Sequence, residues 1–276
     1  MKKVGLALGG GGARGCAHIG VINALQEAGI PISCIAGTSI GAAIGGIYSK
    51  GKIDELKLAL IKTRWQDVVK LFDPVIPKQG LFDGKDIIKL LKIILPNPYF
   101  KDINIPFTAV ATDLLTGKEM HLKDGNIVKA IRASVAIPGI ITPYKLNNRY
   151  LMDGGVTNPL PVNVVKNMGA DIIIAVDLNH SFIKEKRYSK HSIKNNKLVE
   201  WLTPKHPNII DVIESSLFMM QDQLTQKNLL IHKPDFLIQP DLGTTGIFDF
   251  QEAKKLIKEG YDQTKKIIKL VKDKLK

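Results

Sequence analysis

Short apolar runs alternate with helical periodicities through most of the chain. Val4–Leu8, Ile32–Ala36, Phe107–Thr112 and Ile172–Asp177 are brief, mostly apolar runs, the pattern of strands buried on both faces. Ala13–Ala28 carries Ile19, Ile22 and Leu25 at helical spacing and stops at Gly29-Ile30-Pro31. Ser39–Lys50 reads as a helix of small residues suited to tight packing on a sheet. Asp54–Thr63 and Gly84–Leu95 read as amphipathic helices, and Ile127–Ala136 as a further helix. Lys118–Leu122 offers a strand partner for Phe107–Thr112. Tyr144–Leu146 and Tyr150–Met152 flank Asn147-Asn148, a good turn pair. A helix near Ile209–Leu229, a strand near Phe236–Gln239 and an amphipathic helix from Gln251 complete the chain. Strands alternating with helices predict an α/β layered fold with a mostly parallel central sheet. The stretch 180–207 breaks the pattern. It is polar, lysine-rich and without clean periodicity, and reads as a long mobile loop or lid.

The totals bound the function. With 276 residues, 45% hydrophobic and 24% charged, the chain has ample core. That length suits one large domain or two small ones, and a single domain over residues 1–276 is expected. The net charge is +13, but only five of the basic residues are arginines. Aromatics are 6% and the lysines are dispersed, so a solvated basic surface is expected rather than a nucleic-acid interface. Transient contact with an anionic membrane surface, or with anionic substrates, fits the same charge. Cys16 and Cys34 form no disulfide framework and read as buried thiols. The opening MKKVGLALGGGGA imitates a signal peptide, but its apolar run is too short. No run is long enough to span a bilayer, and a cytoplasmic location is expected.

Candidate chemistry begins with VGLALGGGGARGCAHIG. Gly10-x-Gly12-x-x-Gly15 fits the dinucleotide fingerprint, yet the second strand ends Cys34-Ile35-Ala36-Gly37 without the acid that would hold a ribose. The Gly-Lys-Ser/Thr of a phosphate-binding loop is absent too. Gly37-Thr38-Ser39-Ile40-Gly41 follows that strand and opens a helix. It is a G-x-S-x-G placed where a nucleophilic serine needs a sharp turn. Beside such a serine, the N–H groups of Gly10, Gly11 and Gly12 suit an oxyanion hole. Arg14 is expected to fix the loop, and Gly15 to allow close helix packing. Asp153 follows an apolar strand and precedes Gly154-Gly155, so its carboxylate lies in an open turn where it could serve as a base.

Taken in order, GGGGARG, GTSIG and DGG resemble the patatin-like phospholipase family, particularly its small bacterial members. Ala133-Ser134-Val135-Ala136-Ile137-Pro138 with Pro143, Ala111-Thr112-Asp113-Leu114, and Asn158-x-Pro extend the resemblance over residues 4–180. It implies a three-layer α/β/α hydrolase with a Ser–Asp dyad, Ser39 as nucleophile and Asp153 as base. It implies that the glycine loop binds the oxyanion, that Gly37, Gly41, Gly154 and Gly155 support the turns, and that no metal or other cofactor is needed. The implied substrates are fatty-acyl esters such as lysophospholipids.

Three rivals remain at this level, one of them a non-catalytic scaffold or regulator that retains the fold, against which the intact Ser39 and Asp153 argue. Ser39, Asp153 and His180 stand in the chain order of a Ser–Asp–His triad, with His180 just after a strand. The glycine loop alone would support a nucleotide-binding module. His18 reads as a helix-packing residue, and Asp113 and Asp177 as strand-end caps. Val68–Phe72 and Ile87–Leu95 could wall an acyl pocket, though plain core is their simpler role. The last helix reads as docked on its own domain, with a membrane or a second subunit as the alternatives.

Overall fold

The computed structural model describes residues 2–63, 80–180 and 209–276. Residues 181–207 of the expected loop, and Val68–Phe72, lie outside the described residues. A mixed, mostly parallel eight-stranded sheet carries helices on both faces. Its centre is β1 (Val4–Leu8), flanked by β2 (Ile32–Thr38) and β7 (Ile172–Val176), all parallel. β3 (Phe107–Asp113) continues in parallel beside β2, and β8 (Phe236–Ile238) beside β7. Three short strands form antiparallel pairs at the β3 side: β4 (Glu119–Leu122) and β6 (Arg149–Asp153) each pair with β3, and β5 (Tyr144–Leu146) with β6.

Register explains the layering. Leu6 pairs with Ile35 and Ile174, and Leu8 with Val176, so one face presents large side chains. Ala7 pairs with Ala36 and Ala175 on the opposite face, because successive strand side chains alternate. The large face packs on α1 (Cys16–Glu27), α2 (Ile40–Ser49), α3 (Ile53–Lys62), α4 (Lys85–Ile94) and α5 (Ile127–Ser134). The small face lets α6 (Val162–Asn167) approach with Val162, Val164 and Val165. Leu229 of α7 (Ile209–Ile231) packs on that same face.

α8 (Ala253–Lys265) docks on α1 at two glycines. A Cβ on Gly20 would sit 1.9 Å from the Ile257 oxygen, and one on Gly260 2.1 Å from the Ala17 oxygen. The C-terminal helical segment therefore packs on its own domain, with Leu256, Ile257 and the Val271 of α9 (Ile268–Leu275) buried. The expected single last helix breaks at Ile267 into α8 and α9. The expected first helix begins as a 3-10 turn, Gly12–Gly15, because the glycine loop must tighten before α1 starts at Cys16. α6 was not expected: six residues after a proline are too short to show periodicity. Asn147 and Asn148 both take positive φ, 47° and 60°, as a two-residue hairpin turn requires. Cys16 and Cys34 are buried and free, and burial pushes the Cys16 thiol up to about 12.

Candidate active site

Parallel strands deliver their following loops to one edge of the sheet, where open α/β sheets build their sites. The turn after β1 carries the glycines, and the turn after β2 carries Ser39. Ser39 has φ 55° and ψ −123°, a conformation that costs a non-glycine residue of order 1–3 kcal/mol. Close packing enforces it. A Cβ on Gly37 would lie 2.3 Å from the Gly41 oxygen, and a Cβ on Gly41 2.2 Å from the Leu8 oxygen. The Ser39 N–H donates to the Ser134 hydroxyl at 2.9 Å, and that hydroxyl donates to the Val110 carbonyl at 2.5 Å. Ser134 thus satisfies a buried donor created by the turn. It stands in the Ala133–Pro138 segment, which marked it in the sequence without revealing what it binds.

Asp153 ends β6 and is 2% exposed. One carboxylate oxygen, Oδ1, accepts from the Gly155 N–H at 2.7 Å. Oδ2 is buried without a hydrogen-bond partner among the described residues. Burial raises the carboxyl to about 6, against the pull of the Ser39 hydroxyl and the Gly155 N–H. Ser39, Asp153, Gly11 and Gly12 line one small cleft of about 20 Å³, room for a single water. Its other wall is α7, with Glu214, Leu217, Phe218 and Gln221 on one helix face. Nothing in the sequence singled out these four.

The glycine loop needs one correction. The Gly10 N–H donates to the Pro159 carbonyl at 3.0 Å, and the Gly9 N–H to the Val176 carbonyl at 3.1 Å. Gly10 is therefore spent on holding the loop and does not line the cleft. Gly11 and Gly12 do line it, and Gly12 takes φ 57° to turn into the 3-10 segment. Arg14 is fully buried, with its guanidinium 3.8 Å over the Phe218 ring. Its Nε reaches the Gly11 carbonyl at 3.4 Å and its Nη1 the Leu178 carbonyl at 3.5 Å, so it ties the loop to β7 and α7. Burial lowers it to about 9, countered by Glu214 and Asp177, which leaves it charged at neutral pH. Gly15 lies against the Ile40 side chain and Gly154 against the Val110 carbonyl, both close-packed.

His18 does more than pack. Its Nε2 lies 2.8 Å from the Gly9 carbonyl, and burial drops it to about 4, so the ring is neutral and donates that proton. Burial raises the Asp222 carboxyl of α7, against the pull of His180. Asp113 caps the Leu115 and Thr116 N–H groups and pairs with Arg149 at 2.8 Å. Asp177 accepts from the Asn179 N–H and the Gln239 amide, each at 3.0 Å. Both match the capping role expected of them. Among the described residues no His, Cys, Asp or Glu cluster is arranged to hold a metal ion.

A second, larger space opens from Ser39. It is an apolar cavity of about 300 Å³ between α2, α3, α4 and α5, with Ser39 and Gly12 in its lining. Its lining is apolar apart from Ser39 and Thr63, and it is partly open to solvent. Of the expected walls, Ile87, Leu90, Leu91 and Ile94 of α4 do line it.

Fold and site together define an α/β/α protein in which a strained serine at a strand-to-helix turn stands beside a buried carboxylate. A family model for patatin-like phospholipase matches residues 6–166, and the chain belongs to that family. Membership supports lipid hydrolysis as its general chemistry. An uncharacterized NTE family protein of Mycobacterium tuberculosis is 42% identical over 200 residues, covering 72% of this chain and 54% of that protein. Human patatin-like phospholipase domain-containing protein 6 is 33% identical over 183 residues, covering 64% of this chain and 13% of that protein. The chain thus spans about half the length of the mycobacterial relative and a small part of the human one. The crystal structure of VipD from Legionella pneumophila superimposes with a TM-score of 0.54 at 16% identity, over 98% of this chain and 67% of that one, a likeness of fold. Among the described residues no helix is long and apolar enough to cross a membrane. Residues after 166, α7 included, fall outside the family match.

Proposed function

We propose that the chain is a serine acyl-hydrolase that cleaves fatty-acyl esters of phospholipids or lysophospholipids through Ser39 and Asp153. The observation that carries this reading is the cleft where the strained Ser39, the buried Asp153 carboxyl on which its hydroxyl pulls, and the Gly11–Gly12 turn meet. Asp153, held ready to titrate near neutrality, accepts the Ser39 proton as Oγ attacks the ester carbonyl. The Gly11 and Gly12 N–H groups stabilise the oxyanion. Collapse expels the alcohol, which takes the proton back from Asp153 and leaves an acyl-serine. Water then gives a proton to Asp153, attacks the acyl carbonyl, and releases the fatty acid as the proton returns to Ser39. The apolar cavity beside Ser39 supports an acyl group as the part retained on the enzyme. The lysine excess supports transient contact with anionic lipid surfaces.

The test is hydrolysis of p-nitrophenyl acyl esters by wild type, Ser39→Ala, Asp153→Ala and His180→Ala. The dyad predicts loss in the first two variants and near-normal turnover in the third. Full activity in Ser39→Ala would sink the acyl-enzyme. Loss in His180→Ala equal to that in Asp153→Ala would favour the triad.

A further inference from the structure

The cavity beside Ser39 has a direction. Ile40, Ala43, Ile44 and Ile47 line it at i, i+3, i+4 and i+7, one stripe along α2 starting next to the serine. At 1.5 Å rise per residue, Ala43 lies about 6 Å and Ile47 about 12 Å beyond Ser39 along the helix axis. α4 runs beside this stripe. Its Ile87 packs with the cluster around Ile247, close to Gly12, while Leu91 and Ile94 belong to the main core. Ile47, Leu56, Leu91 and Ile94 of the lining are all buried in the core, while Ala59 of α3 on the flank is exposed and Leu60 half-buried. Ala43 is partly exposed and is the smallest side chain of the stripe.

We infer that Ala43 and Ile47 set the length of the acyl group, Ala43 by leaving the channel open midway and Ile47 by stopping it, so that chains of about ten carbons fit best. This rests on the acyl-hydrolase reading above. Two magnitudes agree on the length. A staggered chain with bonds of about 1.5 Å advances about 1.25 Å per carbon, so about 12 Å takes nine or ten carbons. An apolar cavity of about 150 Å³ accepts benzene, with six carbons, so twice that volume takes about twelve. A sixteen-carbon chain exceeds both, and core side chains would have to move to admit it.

The experiment compares p-nitrophenyl esters from C4 to C16 in one detergent, with each protein's rates normalised to its own C4 rate so that differences in folded fraction cancel. Wild type is expected to peak near C10 and to fall at least tenfold by C16. Ala43→Leu should move the peak to C6 or shorter, and Ile47→Ala should move it outward by about two carbons. A wild-type rate still rising at C16, or identical profiles in all three proteins, overturns the inference. A second measurement reads the cavity without catalysis: calorimetric binding of decanoate and palmitate to Ser39→Ala, with and without Ala43→Leu. Decanoate is expected to bind more tightly than palmitate and to weaken at least tenfold with Ala43→Leu. Equal affinities, or no effect of Ala43→Leu, overturn the assignment even where ester hydrolysis proves independent of Ser39. That independence would instead overturn the hydrolase reading.

Discussion

Replacing Asp153 by Asn should make the protein inactive and, at neutral pH, more stable. The carboxyl is 2% exposed and raised to about 6, against 3.8 for the ordinary side chain. At about 1.4 kcal/mol per pH unit, that gap is worth about 3 kcal/mol. Below pH 3.8 the group is neutral in both the folded and unfolded chain, and nothing is lost. Between pH 3.8 and about 6 the unfolded chain gives up its proton while the folded chain keeps it, so stability falls as pH rises. Above about 6 the whole cost is present. Asn is neutral throughout, nearly the same shape, and keeps the oxygen that accepts from Gly155. The variant should therefore match wild type near pH 3.5 and exceed it by about 3 kcal/mol at pH 8. His18 works in the opposite sense. Its folded value of about 4 lies below the ordinary 6.5, so its contribution is lost as pH falls, but it acts equally in both proteins and cancels in their difference. Urea unfolding of both proteins from pH 3.5 to 8 measures the difference. Parallel curves, or an Asn variant less stable at pH 8, would mean that the carboxylate is solvated and would refute the reasoning. In the same frame, wild-type kcat/KM should fall about tenfold per pH unit below about pH 6.

Ser134→Ala strips the partner from both the Ser39 N–H and the Val110 carbonyl. It should cost about 1–3 kcal/mol in denaturant unfolding, with kcat reduced more than KM is raised. Gly41→Ala drives a Cβ to 2.2 Å from the Leu8 oxygen. Overpacking against backbone should cost about 1–3 kcal/mol or more, and a melting temperature equal to wild type would show that the turn relaxes freely. His18→Phe leaves the Gly9 carbonyl buried without its donor. A loss of about 1–3 kcal/mol is expected, partly restored by His18→Gln, which retains an N–H in reach; equal losses in both variants would reduce His18 to a packing residue.

Most of the fold could be read from local pattern. β1 was anticipated to the residue, and the bounds of β2, β3, α2 and α4 were anticipated within two residues at each end. Those elements are legible because sheet-covered strands and amphipathic helices carry their burial in the order of their own residues. The glycine loop, the Ser39 turn and the Asp153 turn were equally visible, since each needs particular residue types at consecutive positions. What stayed hidden was made by distant pairs. Ser134 meets Ser39 across 95 positions, and Arg14 stacks on Phe218, far off along the chain. No periodicity encodes such a meeting.

By itself, then, the sequence determined an α/β chain, the two glycine-framed turns and an acid placed to join them. Backbone conformation at a tight turn depends on nearest neighbours, and these elements are of that kind. Only the tertiary structure decided which loop donors remain for a ligand. It spent Gly10 on Pro159, it set α7 across the cleft, and it opened a channel along α2 beside Ser39. Each of these is a competition for the same space or the same hydrogen bond between segments far apart in the chain. Such competitions are settled only when the layers close on one another.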